Sequence, residues 1–185
     1  MNSAPVPSPE KSIQKTDPSL IHDRYLDHGD GTVTDVVNKL RWKRCCEGQI
    51  WDGKTCVGEA TKYRWKDLPK PSEDGWRVPT VEEAKTLLYC RNTGKWGDSL
   101  PVTKDSDWNK LSHLEKYVCG KDIRGTNDSL SIDKEVFVNN PFWIWTSSEY
   151  AHNAGYAWVV DFYDGHVNGN GKYHDDAVRV VSSSQ

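Results

Sequence analysis

The chain has 185 residues, a size that suits one domain with a tail. Charged residues make up 28% and the formal net charge is −3, which excludes a globally basic nucleic-acid binder; attraction to a polyanion would have to come from a local patch. There is no apolar run of about 18 residues, so no segment reads as a membrane-spanning helix.

The start, MNSAPVPSPEKSIQKTDPSL, is rich in Pro, Ser and charge and lacks the apolar stretch of a signal peptide. It reads as the beginning of a mature chain with an initiator Met, and residues 1–22 as a disordered linker. A lipid anchor on the native precursor would make that linker a tether. Residues 23–185 are expected to form one domain.

Gly29-Asp30-Gly31 is a turn cluster and Thr32-Val33-Thr34 a short strand. Leu40-Arg41-Trp42-Lys43-Arg44 alternates apolar and basic, which places Leu40 and Trp42 inward and Lys39, Arg41 and Lys43 outward. A cysteine-bearing loop follows, then a short amphipathic segment, Tyr63–Leu68, that ends at Pro69. Thr80 with Glu83 reads as a capping box, and Val81, Ala84, Leu87 and Leu88 form one helical stripe behind it. A second helix is expected over Asp107–Val118, with Trp108, Leu111, Leu114 and Tyr117-Val118 as its stripe and Gly120 as its stop. The last third reads as hairpins. Phe142–Thr146 and Ala157–Phe162 are strands, Tyr163–His166 a turn, Asn168–Lys172 a polar loop and Ala177–Val181 a final strand. The class is α+β: two helices packed on short antiparallel hairpins.

Five cysteines, Cys45, Cys46, Cys56, Cys90 and Cys119, show no paired CxxC knuckle and point to disulfides in an oxidising compartment. Cys90 and Cys119 each fall at the end of an expected helix, so a bridge between them would pin the two helices. Cys56 would then pair with Cys45 or Cys46. In the chain-entropy view a loop closed by Cys56 stabilises by about 3 kcal/mol and one closed by Cys90–Cys119 by about 3.5 kcal/mol. One sulfur is left over.

Five segments together carry a family resemblance: Gly29–Asp35, Leu40-Arg41-Trp42, Trp76–Thr80 with Glu83, Trp143–Ser148, and Ala157-Trp158 through Gly165 with Val178–Val181. In this order the chain resembles the bacterial domain at the C-terminus of the Legionella collagen-like adhesin. The resemblance implies a fold akin to C-type lectin-like domains and formylglycine-generating enzymes. It also implies an adhesive or carbohydrate-binding role, with glycosaminoglycans among the ligands. Two departures stand out. The family usually has Gly where Lys39 stands, so that turn is expected to close differently, and the Cys45-Cys46…Cys56 insert is not typical.

Nine tryptophans are the most unusual feature of the composition. Trp42, Trp76, Trp143, Trp145 and Trp158 lie on motif strands and are expected in the core. Trp51, Trp96 and Trp108 lie in or beside loops and are candidate ligand contacts, since indole faces stack on sugar rings and anchor interfaces. Lys39, Arg41 and Lys43, with Arg44 adjacent, form a candidate basic face for sulfate or phosphate groups, which Lys62, Arg64 and Lys66 could extend. Asp161, Asp164, Asn168, Asn170, Asp175 and Asp176 are oxygen donors of the kind calcium prefers, without EF-hand spacing. No cofactor is otherwise expected. Catalysis is not expected either. Nothing after Cys119 supplies the late cysteine pair of an oxidase, and His166, His174, Asp175 and Asp176 lack a nucleophile motif. The expectation is an exported, non-catalytic binding module of the periplasm or cell surface, recognising a glycan or a protein. The alternative is a periplasmic accessory factor that stabilises a type IV pilus or another secretion fibre.

Overall fold

The computed structural model describes residues 19–119 and 131–183. In chain order the first strands are β1 (Leu20–Ile21), β2 (Tyr25–Asp27), β3 (Thr32–Asp35) and β4 (Leu40–Lys43). Next come the short hairpin β5 (Ile50–Trp51) and β6 (Cys56–Val57), strand β7 (Lys62–Tyr63), and a single 3-10 turn over Trp65–Asp67. Helix α1 (Val81–Ala84) runs straight into a 3-10 turn and is followed by the hairpin β8 (Tyr89–Cys90) and β9 (Lys95–Trp96). Helix α2 (His113–Lys116) precedes β10 (Trp143–Glu149), β11 (Tyr156–Asp161), β12 (His166–Gly171), β13 (Asp176–Ala177) and β14 (Val181–Ser183).

The strands build two five-stranded sheets, β1-β2-β3-β4-β14 and β12-β11-β10-β13-β7. All pairs are antiparallel except β10 with β13. The domain is therefore mostly β with two short helices, compatible with the α+β class. Its core is Trp42, Trp158, Tyr25, Phe137, Leu87, Leu88 and Ile144, with a second cluster around Trp145 and Val178.

The motif segments act as joints between these layers. Thr80 and Glu83 form the expected capping box, and Arg77 grips the same Glu83 carboxylate through two nitrogens at 2.6 and 2.7 Å. Val81 N–H donates to Ser148 Oγ and Ser147 N–H to Pro79 O, which seats α1 on β10. Arg77 also bridges Val181 through its backbone, so one short segment touches both sheets. Arg179, fully buried against the Phe137 ring, donates to Asn140 Oδ1, Lys43 O and Arg44 O.

Several expectations are corrected. Leu20 and Ile21, assigned to the tail, pair with Leu26 and Tyr25 in β1–β2, while residues 1–18 lie outside the described residues. The second helix shrinks to one turn. Asp107 caps Asn109 N–H, Tyr150 Oη accepts Trp108 N–H, and Ser112 with Glu115 restarts the chain in a new capping box. Leu114, placed in its apolar stripe, is 77% exposed. Gly120, its expected stop, lies outside the described residues. The polar loop Asn168–Lys172 is mostly strand β12, paired residue for residue with β11. The final strand is split, with Val178–Val180 bridging β13 and β14.

Lys39 takes the left-handed conformation itself, with φ +57, which a glycine would adopt without strain. Asp35 holds that turn by accepting from the Val37 and Asn38 amides.

Cys90 pairs with Cys119, as the helix-end positions suggest. Of the two partners open to Cys56, the structure takes Cys45; Cys46, set beside Cys56 as a bridge half, is instead a buried free thiol. Burial pushes its ionisation up, so it is held as the inert thiol.

Candidate functional site

An open cleft of about 700 Å³ lies between the β8–β9 hairpin and the α2 turn. Trp96, Lys95, Asp98 and Ser99 form one wall; Leu114 and Tyr117 face them. The Cys90–Cys119 bridge ties the two walls at their base. Gly97 seats the hairpin behind that wall: a Cβ there would lie 1.9 Å from Lys85 O, so only glycine lets the hairpin close this tightly on the end of α1.

Trp96 is a fixed wall. The Arg24 guanidinium sits 4.1 Å over its ring and Tyr89 packs at 4.3 Å. Arg24 is itself held by two bonds to Asp35 (2.7 and 3.1 Å), one to Thr86 O, and a longer pair with Asp98 at 3.4 Å. Across the cleft, Tyr117 is one rung of a ring ladder. His113 stacks on it at 4.0 Å, His166 at 4.5 Å, and Trp108 follows His166 at 5.3 Å. Lys116 covers Trp108 at 4.6 Å. The cleft thus offers aromatic surface from two sides, with a carboxylate, an ammonium and a hydroxyl at its rim. His113 and His166 take both faces of Tyr117, so a sugar in the cleft would meet that ring at its edge and bond its hydroxyls to the rim groups. Ser99 Oγ donates to Trp96 O, so the rim hydroxyl is not aimed at a base.

The structure scatters the other sequence candidates. Arg44 is not a surface cation. It is buried, bonded to Val136 O and Glu135 O and paired with Asp27 at 2.7 Å, because the chain needs a donor where 135–136 turns under β4. It covers Trp51 at 4.3 Å, and Trp51 packs so close to Gly31 that a Cβ there would lie 2.8 Å from it. Arg41 and Lys43 do share the outer face of β4, yet each is engaged: Arg41 with Asp30 and Thr32 Oγ1, Lys43 with Glu47 at 3.3 Å. Both lie within 6 Å of the Trp76 ring, beside a smaller pocket lined by His28, Arg41, Asp74 and Ser182. Lys39 stands exposed at the tip of the turn. Lys62 and Arg64 do not extend this face, since β7 belongs to the other sheet and Arg64 leans 3.8 Å from Asp175. Among the motif tryptophans, Trp42, Trp145 and Trp158 are core; Trp76 and Trp143 are only partly buried.

The oxygen donors of the C-terminal third do not converge on one loop. Asn170 donates to Asp176, and Asp175 faces Arg64. Asp161 and Asp164 instead gather with His166 across the β11–β12 turn, the ligating atoms within 4.8 Å of one another. Burial raises the Asp161 carboxyl to about 6, against the pull of the Asp164 and Tyr163 amides it accepts.

Sequence reasoning found Trp96 but missed Tyr117, which it took as part of a buried helical stripe. It also missed Trp65, which lines an apolar groove with Leu68, Pro69 and Pro71. The only signal for Tyr117 was its place two residues before Cys119.

Fold and cleft together define a small, disulfide-closed, β-rich domain with an open aromatic recess and, among its described residues, no helix long and apolar enough to cross a membrane. The family model of the Lcl C-terminal domain matches residues 31–182, and the chain belongs to that family. It is therefore an adhesin-related module. No curated protein and no solved structure matches it.

Proposed function

We propose that the chain is an exported, non-catalytic recognition module of the cell surface or periplasm that binds a surface glycan in the Trp96–Tyr117 cleft. The observation that carries this reading is the pairing of two held aromatic rings across a recess of sugar size, rimmed by Lys95, Asp98 and Ser99. Family membership and two disulfides support export. A C-type lectin-like fold is supported by the closure of early strands and the last strand in one sheet, with the cleft on the long excursion between α1 and β10. The self-neutralised β4 face makes a sulfated ligand secondary to a neutral or weakly charged one.

The test is binding to a printed array of neutral and sulfated surface glycans. Saturable signal that falls at least about tenfold in Trp96→Ala and in Tyr117→Ala, and survives Arg41→Ser, supports the cleft. Equal binding by all three variants would remove it. A protein-contact role, such as bracing a pilus or secretion fibre, is favoured by one feature: Ile50 and Phe142 are 69% and 59% exposed beside the cysteine hairpin. Co-purification with a fibre subunit, without any array signal, would select that reading.

A further inference from the structure

Strand β12 lies at the edge of its sheet; Tyr117 bridges its His166 end, and beyond it no strand among the described residues pairs with Asn168-Gly169-Asn170-Gly171. These are the two Asn-Gly steps in the whole chain. Lys172 N–H donates inward to Gly155 O; by the alternation of an antiparallel ladder, the Gly169 and Gly171 amides therefore point away from β11. Each outward amide is met by the side chain of the residue before it: Gly169 N–H donates to Asn168 Oδ1 at 2.8 Å, and Gly171 N–H to Asn170 Oδ1 at 3.0 Å. The two asparagines thus cap their own sheet edge, which guards it against pairing with another strand.

The same geometry holds a backbone nitrogen beside a side-chain amide carbon, which is the starting arrangement for ring closure. We propose that Asn168 and Asn170 are sites of spontaneous deamidation, and that the edge of β12 gains negative charge with time without any enzyme. The Gly169 or Gly171 nitrogen, on losing its proton to solvent base, bonds to the Asn Cγ. The Cγ–N bond of the side chain breaks and ammonia leaves with the proton balance restored from water. The resulting succinimide is opened by water at either carbonyl, giving aspartate or isoaspartate. No oxidant or reductant takes part.

The two sites differ in consequence. Asn170 Nδ2 donates to Asp176 at 2.8 Å, so a carboxylate at position 170 would face another across the β12–β13 contact. Asn168 makes no such bond among those described, so its product meets no facing carboxylate; the new charge and, in isoaspartate, the longer main chain are its only effects.

The experiment is peptide mapping of the intact domain held at pH 8 and 37 °C in heavy-oxygen water, with isoaspartate scored by its separate elution. Expected is heavy-oxygen label at 168 and 170, ahead of Asn38, Asn109 and Asn153, with isoaspartate exceeding aspartate. Replacing Gly169 or Gly171 with Ala should slow its own site by about ten- to a hundredfold, the scale of displacing a nucleophile by up to ~1 Å. Both changes are tolerated. A Cβ at Gly169 meets Tyr150 at 3.7 Å; at Gly171 it would lie 2.6 Å from the Tyr173 ring, which is 69% exposed and must turn aside. Label no faster at 168 and 170 than at the other asparagines, or rates unmoved by the Ala variants, would overturn the proposal.

Discussion

Arg24 is the residue through which the core holds the cleft, so its replacement gives the sharpest prediction. Its side chain is 4% exposed and that of Asp35 is fully buried. Removing the cation, as in Arg24→Met, leaves a carboxylate in the interior, a loss of about 3–5 kcal/mol for a broken buried pair. Asp35 still accepts from the Val37 and Asn38 amides and from Asn38 Nδ2, so the lower end applies, about 3 kcal/mol. The lost stacking on Trp96 adds about 0.5–2 kcal/mol. The sum, about 4 kcal/mol, corresponds to a fall in Tm of roughly 8–16 °C for a domain this size. Arg24→Lys keeps the charge but not the fork, and should lose about 1.5–3 kcal/mol. Both are read by denaturant unfolding with the disulfides intact, and the near-UV circular dichroism of Trp96 should weaken in the same order. A loss below about 1 kcal/mol in the Met variant, or equal losses in Met and Lys, would refute the reasoning.

Three further outcomes follow from single residues. His22 Nδ1 donates to the Asp133 carboxylate at 2.6 Å and its Nε2 lies 3.3 Å from Glu135; that bond raises its ionisation above the usual histidine value. A raised value in the folded state means stability present below about pH 6.5 and lost as pH rises through the folded value, so the gap between wild type and His22→Gln should narrow from pH 5.5 to pH 8.5; a constant gap refutes the pairing. Lys39→Gly should stabilise the fold by about 0.5 kcal/mol, read as a higher denaturation midpoint at unchanged slope, because relief of left-handed strain of about 1–2 kcal/mol exceeds the chain entropy that glycine adds; a lower midpoint counts against it. Cys46 should resist a thiol reagent in the folded protein and react once in denaturant, and peptide mapping should recover Cys45 joined to Cys56; fast native labelling would contradict its burial.

The sequence was most legible where a local rule and the tertiary structure agree. The period-2 run Leu40–Lys43 and the Thr80/Glu83 box needed no distant partner to be read, and Cys90–Cys119 followed from two element ends. It misled where pairing decides. Asn168–Gly171 has the residues of a loop, yet β11 supplies a full register and draws it into a strand. The stripe from Trp108 to Tyr117 has helical spacing, but Glu115 takes the Ser112 amide that a continuous helix would turn to Trp108 O, and Ser112 is extended there. For the site, Trp96 was visible as a loop tryptophan. Its significance was not, because it depends on Arg24 and Asp35 some 60 to 70 residues earlier. Arg44 looked like part of a basic face for the converse reason: the carbonyls that bury it lie at residues 135 and 136.

The most direct test of the cleft is to watch the indole N–H signals of the nine tryptophans by two-dimensional NMR while titrating an oligosaccharide selected on the array. The account predicts a saturable shift of the Trp96 signal, with Trp65 and Trp76 unmoved. A shift of Trp76 or Trp65 with Trp96 unchanged would place the ligand elsewhere and contradict it.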